Sequence, residues 1–169
     1  MYYYFSPTLP YLQFDAPPPF TEERFAELCR EHLKPDDREA FEALRTGKES
    51  SHHFVREWQD FEVKFRNAAV KFRNVKSGAD ARKWLRSQKG ESLEIENAVG
   101  KAFAETDPMK RDTALKRVMW DNADELAGND IFKAARLFAF FIHLQILAER
   151  AKTNAEAGRK RLLQHVDNP

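Results

Sequence analysis

The sequence predicts an all-α fold: a helical bundle with two long packed helices and an extended, aromatic and proline-rich N-terminal arm. Three observations predict it. Apolar side chains recur three and four apart from Thr21 to about Val166. No run alternates convincingly as a strand would. Five of the eight prolines fall within the first 20 residues, outside the periodic body. At 169 residues, 42% hydrophobic and 33% charged, the chain is expected to form a single helical domain over 1–169 with a substantial core.

Residues 1–20 hold seven aromatics, and Asp15 is their only charge. The prolines forbid a long helix, while the aromatics argue against disorder. The expectation is an arm laid over the body, burying Tyr2, Tyr4, Phe5, Tyr11 and Phe14, with Tyr2–Phe5 a candidate short strand. Thr21 has the character of an N-cap, with Phe20 and Phe25 spaced as a hydrophobic staple and Glu22 and Glu23 in the first turn. That helix should bury Phe25, Leu28 and His32 or Leu33, and stop before Pro35. A short helix over about 36–44 follows, then a polar loop containing Gly47.

From about Ser51 to Val75, Phe54, Trp58, Phe61, Phe65, Ala68, Phe72 and Val75 alternate four and three apart. This seven-residue repeat predicts a narrow seam for one partner helix. The obvious partner is the stretch 129–150, around which the rest of the chain is organised. Between Ile131 and Ala148, 14 of 18 residues are apolar. Lys133, Arg136, His143 and Arg150 share one polar arc of about 100°, so neighbours should wrap most of this helix. Phe140 and Leu147 also lie on that arc. Either another helix crosses there or they belong to a partner surface. Two cations in the first half and a short uncharged run exclude a membrane span. Asp130 is the expected N-cap.

Between the two long helices, Gly78 and Gly90 bracket a short helix holding Trp84 and Leu85. Another helix is expected over about 92–104. Asp107-Pro108 begins a further one, with Asp107 capping and Pro108 in first position, which carries Met109, Leu115, Val118, Met119, Ala123 and Leu126 to Gly128. After Arg150 the sequence turns polar. The helix should continue to about Val166 and fray, leaving about 152–169 as a polar C-terminal tail.

No phosphate loop, dinucleotide fingerprint or nucleophile elbow is present, so no enzymatic activity, cofactor or small-molecule substrate is expected. Glu49 and His52 have the carboxylate–histidine spacing of bundle metal sites. They sit in a loop with no second copy, so no metal is expected. His143 reads as a member of the polar stripe rather than a ligand. The lone cysteine, Cys29, excludes an internal disulfide and reads as a small core residue. The aromatic N-terminus has no basic start and no long apolar region, so no signal peptide is expected, and the compartment is expected to be cytoplasmic.

Charge is unevenly placed. Residues 1–62 are net −6 and residues 90–169 net −1, whereas residues 63–89 carry 9 basic and 1 acidic side chains, net +8. The basic block is open to three readings: a solvated face, a surface for an acidic protein partner, or a nucleic-acid site. The third is disfavoured here, because Phe65, Phe72 and Trp84 fall on the seam or beside Leu85 and read as core.

The stretch Phe65-Arg66-Asn67-Ala68-Ala69-Val70-Lys71-Phe72-Arg73, followed by Gly78, resembles a signature of the central-stalk component of V/A-type ATPases, designated C in prokaryotes and d in eukaryotes. Asn67, Arg73 and Gly78 keep its spacing, while Lys64 stands where an acidic residue is usual. The whole chain is similar to a small bacterial family, DUF2764, whose genes tend to lie in V-type ATPase operons. That likeness rests on MYYYF with Leu9-Pro10, the Asn67–Arg73 element, Asp107-Pro108, Trp120-Asp121 with Asp124-Glu125-Leu126, and Leu144-Gln145-Ile146-Leu147. It supplies a context rather than an activity.

What the resemblance implies is a C-like or accessory component coupling stalk to rotor by protein–protein contacts, peripheral on the inner face of the membrane through the ATPase. The candidate partner-binding residues are Arg66, Asn67, Lys71, Arg73, Arg82 and Arg86, with Phe140 and Leu147. By the same resemblance Arg73 is also a candidate for an internal hydrogen bond. The competing reading is a helical interaction module unrelated to the ATPase, with nucleic acid as a conceivable partner.

Overall fold

Side-chain caps set the starts of three of the helices. The computed structural model describes residues 1–78, 80–88 and 90–166, and their side chains except those of 76, 77 and 154–166. Within them lie α1 (Glu22–His32), α2 (Pro35–Thr46), α3 (His53–Ser77), α4 (Leu93–Ala104), α5 (Pro108–Ala127) and α6 (Ala134–Val166), with two short 3-10 turns and no strand. Thr21 Oγ1 accepts from the Arg24 N–H at 3.2 Å, and Asp107 Oδ1 from the Met109 N–H at 2.9 Å. The staple also forms, with the Phe20 and Phe25 rings 6.4 Å apart. Asp130 caps a turn rather than a helix: its Oδ1 accepts from the Phe132 N–H, and α6 begins four residues later. Past Arg150 the backbone stays helical to Val166. The polarity and fraying expected of the tail fall on side chains and residues outside those described.

The core is a phenylalanine cluster centred on α6. Phe25, Phe41, Phe54, Phe138 and Phe141 are each at most 2% exposed. They meet edge to face, as in Phe41–Phe141 at 5.1 Å and Phe54–Phe138 at 5.9 Å, tilted, as in Phe41–Phe138 at 6.1 Å, and stacked, as in Phe25–Phe141 at 6.3 Å. Leu137, Ile142, Leu144 and Leu147 close the remaining sides of α6. Three of the four side chains of its polar arc are spent internally, and Lys133 is exposed. Arg136 donates to Asp124 on α5 at 2.7 Å, Arg150 to Asp15 of the arm at 3.1 Å, and the His143 ring stacks on Trp120 at 3.7 Å. Cys29 is fully buried, and burial pushes its thiol up to about 12, which keeps it a neutral core group.

The seam of α3 is not covered by one helix. Phe54, Trp58 and Phe61 enter the α6-centred core, whereas Ala68 and Ala69 form a second cluster with Val99 and Phe103 of α4. Phe72 stacks on Phe103 at 5.8 Å and crosses Gly100 so closely that a Cβ there would lie 2.8 Å from the ring. Val75 ends the repeat 81% exposed. The helix that α6 packs on most extensively is α5, not α3. A seven-residue repeat specifies a continuous apolar stripe; which element covers each part depends on the connections.

The arm follows the body from Tyr2 to Phe14, held at both ends. The Tyr2 N–H donates to the Phe132 carbonyl at 2.7 Å. Its hydroxyl donates to Asp37 and accepts from the Lys34 N–H at 3.2 Å. At the far end the Phe14 ring lies between the Arg117 and Arg150 guanidiniums, at 3.8 and 4.0 Å, with its edge on Trp120. Tyr2, Phe5 and Phe14 are buried, but Tyr4 is 95% and Tyr11 88% exposed, against expectation. Tyr2–Phe5 forms a turn leading into a 3-10 turn at Ser6–Thr8, not a strand, so consecutive aromatics cannot all face inward. In the extended span beyond, side chains alternate: Leu12 and Phe14 point in and Tyr11 points out.

Candidate functional site: a basic corner around Trp84

The basic block occupies the C-terminal half of α3 and the segment that follows it. α3 ends where Gly78 takes φ 67°, a conformation that favours glycine. The chain then turns through a 3-10 turn, Ala81–Trp84, capped by Asp80, whose Oδ1 accepts from the Arg82 N–H at 3.0 Å. Asn67, only 3% exposed, fixes the return. Its Nδ2 donates to the Arg86 carbonyl at 2.8 Å and to Gln88 Oε1 at 2.7 Å, and its Oδ1 accepts from the Arg86 N–H at 2.9 Å. Arg66 adds a bond from Nη1 to the Trp84 carbonyl at 3.2 Å.

Five of the eight candidate residues therefore serve the fold. Asn67 is buried and fully engaged, which removes it from any partner surface. Arg66 is half-buried and holds the Trp84 backbone. Lys71 pairs with Glu96 of α4 at 2.5 Å, and that hydrogen bond holds its ammonium pKa above the ordinary range. Leu147 is 2% exposed inside the core. Phe140 is half-buried beneath Phe20 and Phe25, at 6.0 and 4.9 Å, so the arm's end and α1 cross there. Of the two readings of that arc, crossing by another element is the one that holds.

Three candidates remain in solvent: Arg73, Arg82 and Arg86. The Arg73 side chain makes no hydrogen bond among the described residues. Arg86 faces Glu62, whose carboxyl burial pushes above its ordinary value, against the lowering by Trp58 and Arg86. Lys83 is exposed beside them. Lys64 is neutralised by Asp60 at 2.6 Å. The unexpected member is Trp84, whose sequence position suggests core but which is 62% exposed, with Leu85 at 36%. A hollow of about 210 Å³ beside it is lined by Arg66, Val70, Arg73, Asn74 and Trp84. A four-residue 3-10 turn cannot present a helical apolar face, and that is the available signal that Trp84 stays outside.

His52 is half-buried with its ring against Phe138 at 4.9 Å, and burial lowers its pKa, while Glu49 is exposed. Among the described residues no three histidine, cysteine or carboxylate side chains converge as metal ligands. Nor is any described helix long and apolar enough to cross a membrane. No protein-family model matches the chain, and no curated protein or solved structure matches it.

Proposed function

We propose that this chain is a non-enzymatic interaction protein, a C-like or accessory component of a bacterial V/A-type ATPase that couples central stalk and rotor through protein–protein contacts. In this reading α3 and α6 are its rigid frame, the arm fastens that frame, and the basic corner is the contact face. The observation that carries the reading is the exposure of Trp84 among Arg73, Arg82, Lys83 and Arg86 on a segment clamped by Asn67. A fixed tryptophan ringed by arginines is the composition of an interface hot spot, and Arg73, Arg82 and Lys83, which have no ion pair among the described residues, would orient an acidic partner. The ATPase context comes from the resemblance of the Asn67–Arg73–Gly78 element, and Asn67 has a structural task compatible with that spacing. Co-purification from native membranes tests the reading. Wild type should bring down stalk or rotor components, and a folded Trp84→Ala, Arg73→Glu, Arg82→Glu variant should lose them. Absence of every ATPase component from the wild-type capture would sink it.

The same exposure of Trp84 supports a second reading, single-stranded nucleic acid, since bases stack on tryptophan beside arginine. A salt-robust, sequence-selective shift with RNA or DNA oligonucleotides would promote it. Binding that vanishes at physiological salt would leave only phosphate attraction.

A further inference from the structure

A second feature is a cleft that the arm spans against α5 and α6. The cleft holds about 420 Å³. Its polar floor is Asp124, Arg136 and His143, and Ser6 looks in from the arm. Leu12, Leu137 and Phe140 supply apolar wall, and Tyr11 stands at the mouth. We propose that this cleft binds a small, uncharged, planar molecule carrying an amide-like edge, one hydrogen-bond donor beside one acceptor.

Charge balance argues for an uncharged ligand. Arg136 Nη1 donates to Asp124 Oδ1 at 2.7 Å, so the floor's cation and carboxylate cancel. Burial holds the His143 ring below its ordinary pKa, so it adds no charge at neutral pH. A charged ligand would lose hydration with no unpaired opposite charge to compensate. Hydrogen-bond inventory argues for the amide-like edge. His143 Nε2 lies 3.2 Å from the Trp120 carbonyl, an acceptor, so Nε2 carries the proton and Nδ1 is left as an acceptor. Asp124 keeps further lone pairs, and Arg136 has four N–H groups beyond the one given to Asp124. Ser6 lines the cleft, and its Oγ, buried in this state, has no partner among the described residues, which leaves a donor and acceptor next to the cleft unmet. The floor thus offers both senses of hydrogen bond at one end of an apolar space, the usual composition of a small-molecule site. Tyr11, 88% exposed at the rim, is placed to lie across a flat ring.

The test uses three probes with one aromatic body: 2-naphthamide, 2-naphthoate and 2-naphthylmethylamine. Titration is followed by NMR at the His143 imidazole and the Trp120 indole. The amide should shift both resonances saturably, and the acid and amine should bind at least about tenfold more weakly, the discrimination expected when polar groups are left unpaired. Ser6→Ala should weaken the amide about fivefold or more without lowering the melting temperature, because Ser6 Oγ has no partner among the described residues. Asp124→Asn should turn the preference toward the naphthoate by leaving Arg136 uncancelled. Should that variant not fold, the Ser6 comparison decides alone. No shift at either ring up to the solubility limit, equal binding of all three probes, or an unchanged affinity in Ser6→Ala would each overturn the proposal.

Discussion

The two halves of α3 carry one repeat and live in different surroundings. Phe54, Trp58 and Phe61 are at most 4% exposed, locked against the aromatic centre around α6. Further along, Phe65 and Phe72 are half-buried, and Val75 is in solvent. There the apolar cluster is small, built on the buried Ala68, Ala69, Val99 and Phe103, and polar clamps supply the order: Asn67 on the 84–88 segment and Lys71 on Glu96. The difference teaches how one helix serves two purposes. Dispersion and burial fix the end that holds the fold. Hydrogen bonds fix the end that keeps its tryptophan and arginines outside, where a partner can reach them.

The largest effect should separate the halves directly. Phe138→Ala removes a fully buried ring from the first region and should cost about 3–5 kcal/mol in chemical denaturation. Phe65→Ala or Phe72→Ala should cost clearly less, roughly 1–2 kcal/mol, because each ring is already partly hydrated. Equal losses at all three positions would erase the distinction.

Next is the clamp. Asn67→Ala breaks three hydrogen bonds to Arg86 and Gln88 and should cost about 1–3 kcal/mol. Hydrogen exchange at 84–88 should rise far more than exchange in α6. Protection unchanged in both would mean that the segment is ordered by something other than Asn67.

The first region should also respond to alkali. Burial, reinforced by the hydrogen bond to Asp37, pushes the Tyr2 hydroxyl from 10.0 up to about 12. A raised folded value means that the native state binds the proton more tightly. The stabilisation is therefore complete below pH 10 and is lost as pH climbs toward about 12. Tyr2→Phe should cost about 1 kcal/mol at neutral pH and remove this alkaline step from the melting curve. A step of the same size in Tyr2→Phe would assign it elsewhere.

How legible the molecule is in its sequence varies with the kind of signal. Thr21, Asp107, the Phe20–Phe25 staple and Gly128 act within a few residues of themselves, and each lies where local chemistry places it. The polar arc of α6 is equally legible as a pattern. Its meaning is not, because Arg136 and His143 meet Asp124 and Trp120 on α5, and sequence does not say which helices adjoin. The site is harder still. Asn67 and Lys71 look like surface polar residues in one dimension, and only folding brings Arg86 and Glu96 to them. Tyr11 and Trp84 mislead for the reverse reason, that large aromatics are usually inside.

The smallest stability effect belongs to the exposed cations, and it divides the basic block into two classes. Arg73, Arg82 and Lys83 lie in solvent with no ion pair among the described residues. Reversing each to Glu should change stability by less than about 0.5 kcal/mol, the scale for surface substitutions with no partner to lose. Lys71→Glu differs, since it sets a carboxylate against Glu96 at the α3–α4 junction in place of a 2.5 Å pair. Half-exposed and screened, that exchange should still cost about 1 kcal/mol, and addition of salt should recover part of it. Melts of the four single variants at low and high salt would read both classes at once. If Arg73→Glu and Arg82→Glu destabilise as much as Lys71→Glu, those arginines belong to the fold and the basic corner loses its claim as a contact face. If they leave the melt untouched while abolishing capture of a partner, the charge at this corner is there for association: it would raise the rate of encounter with an acidic surface, and Trp84 would supply the buried contact that holds it.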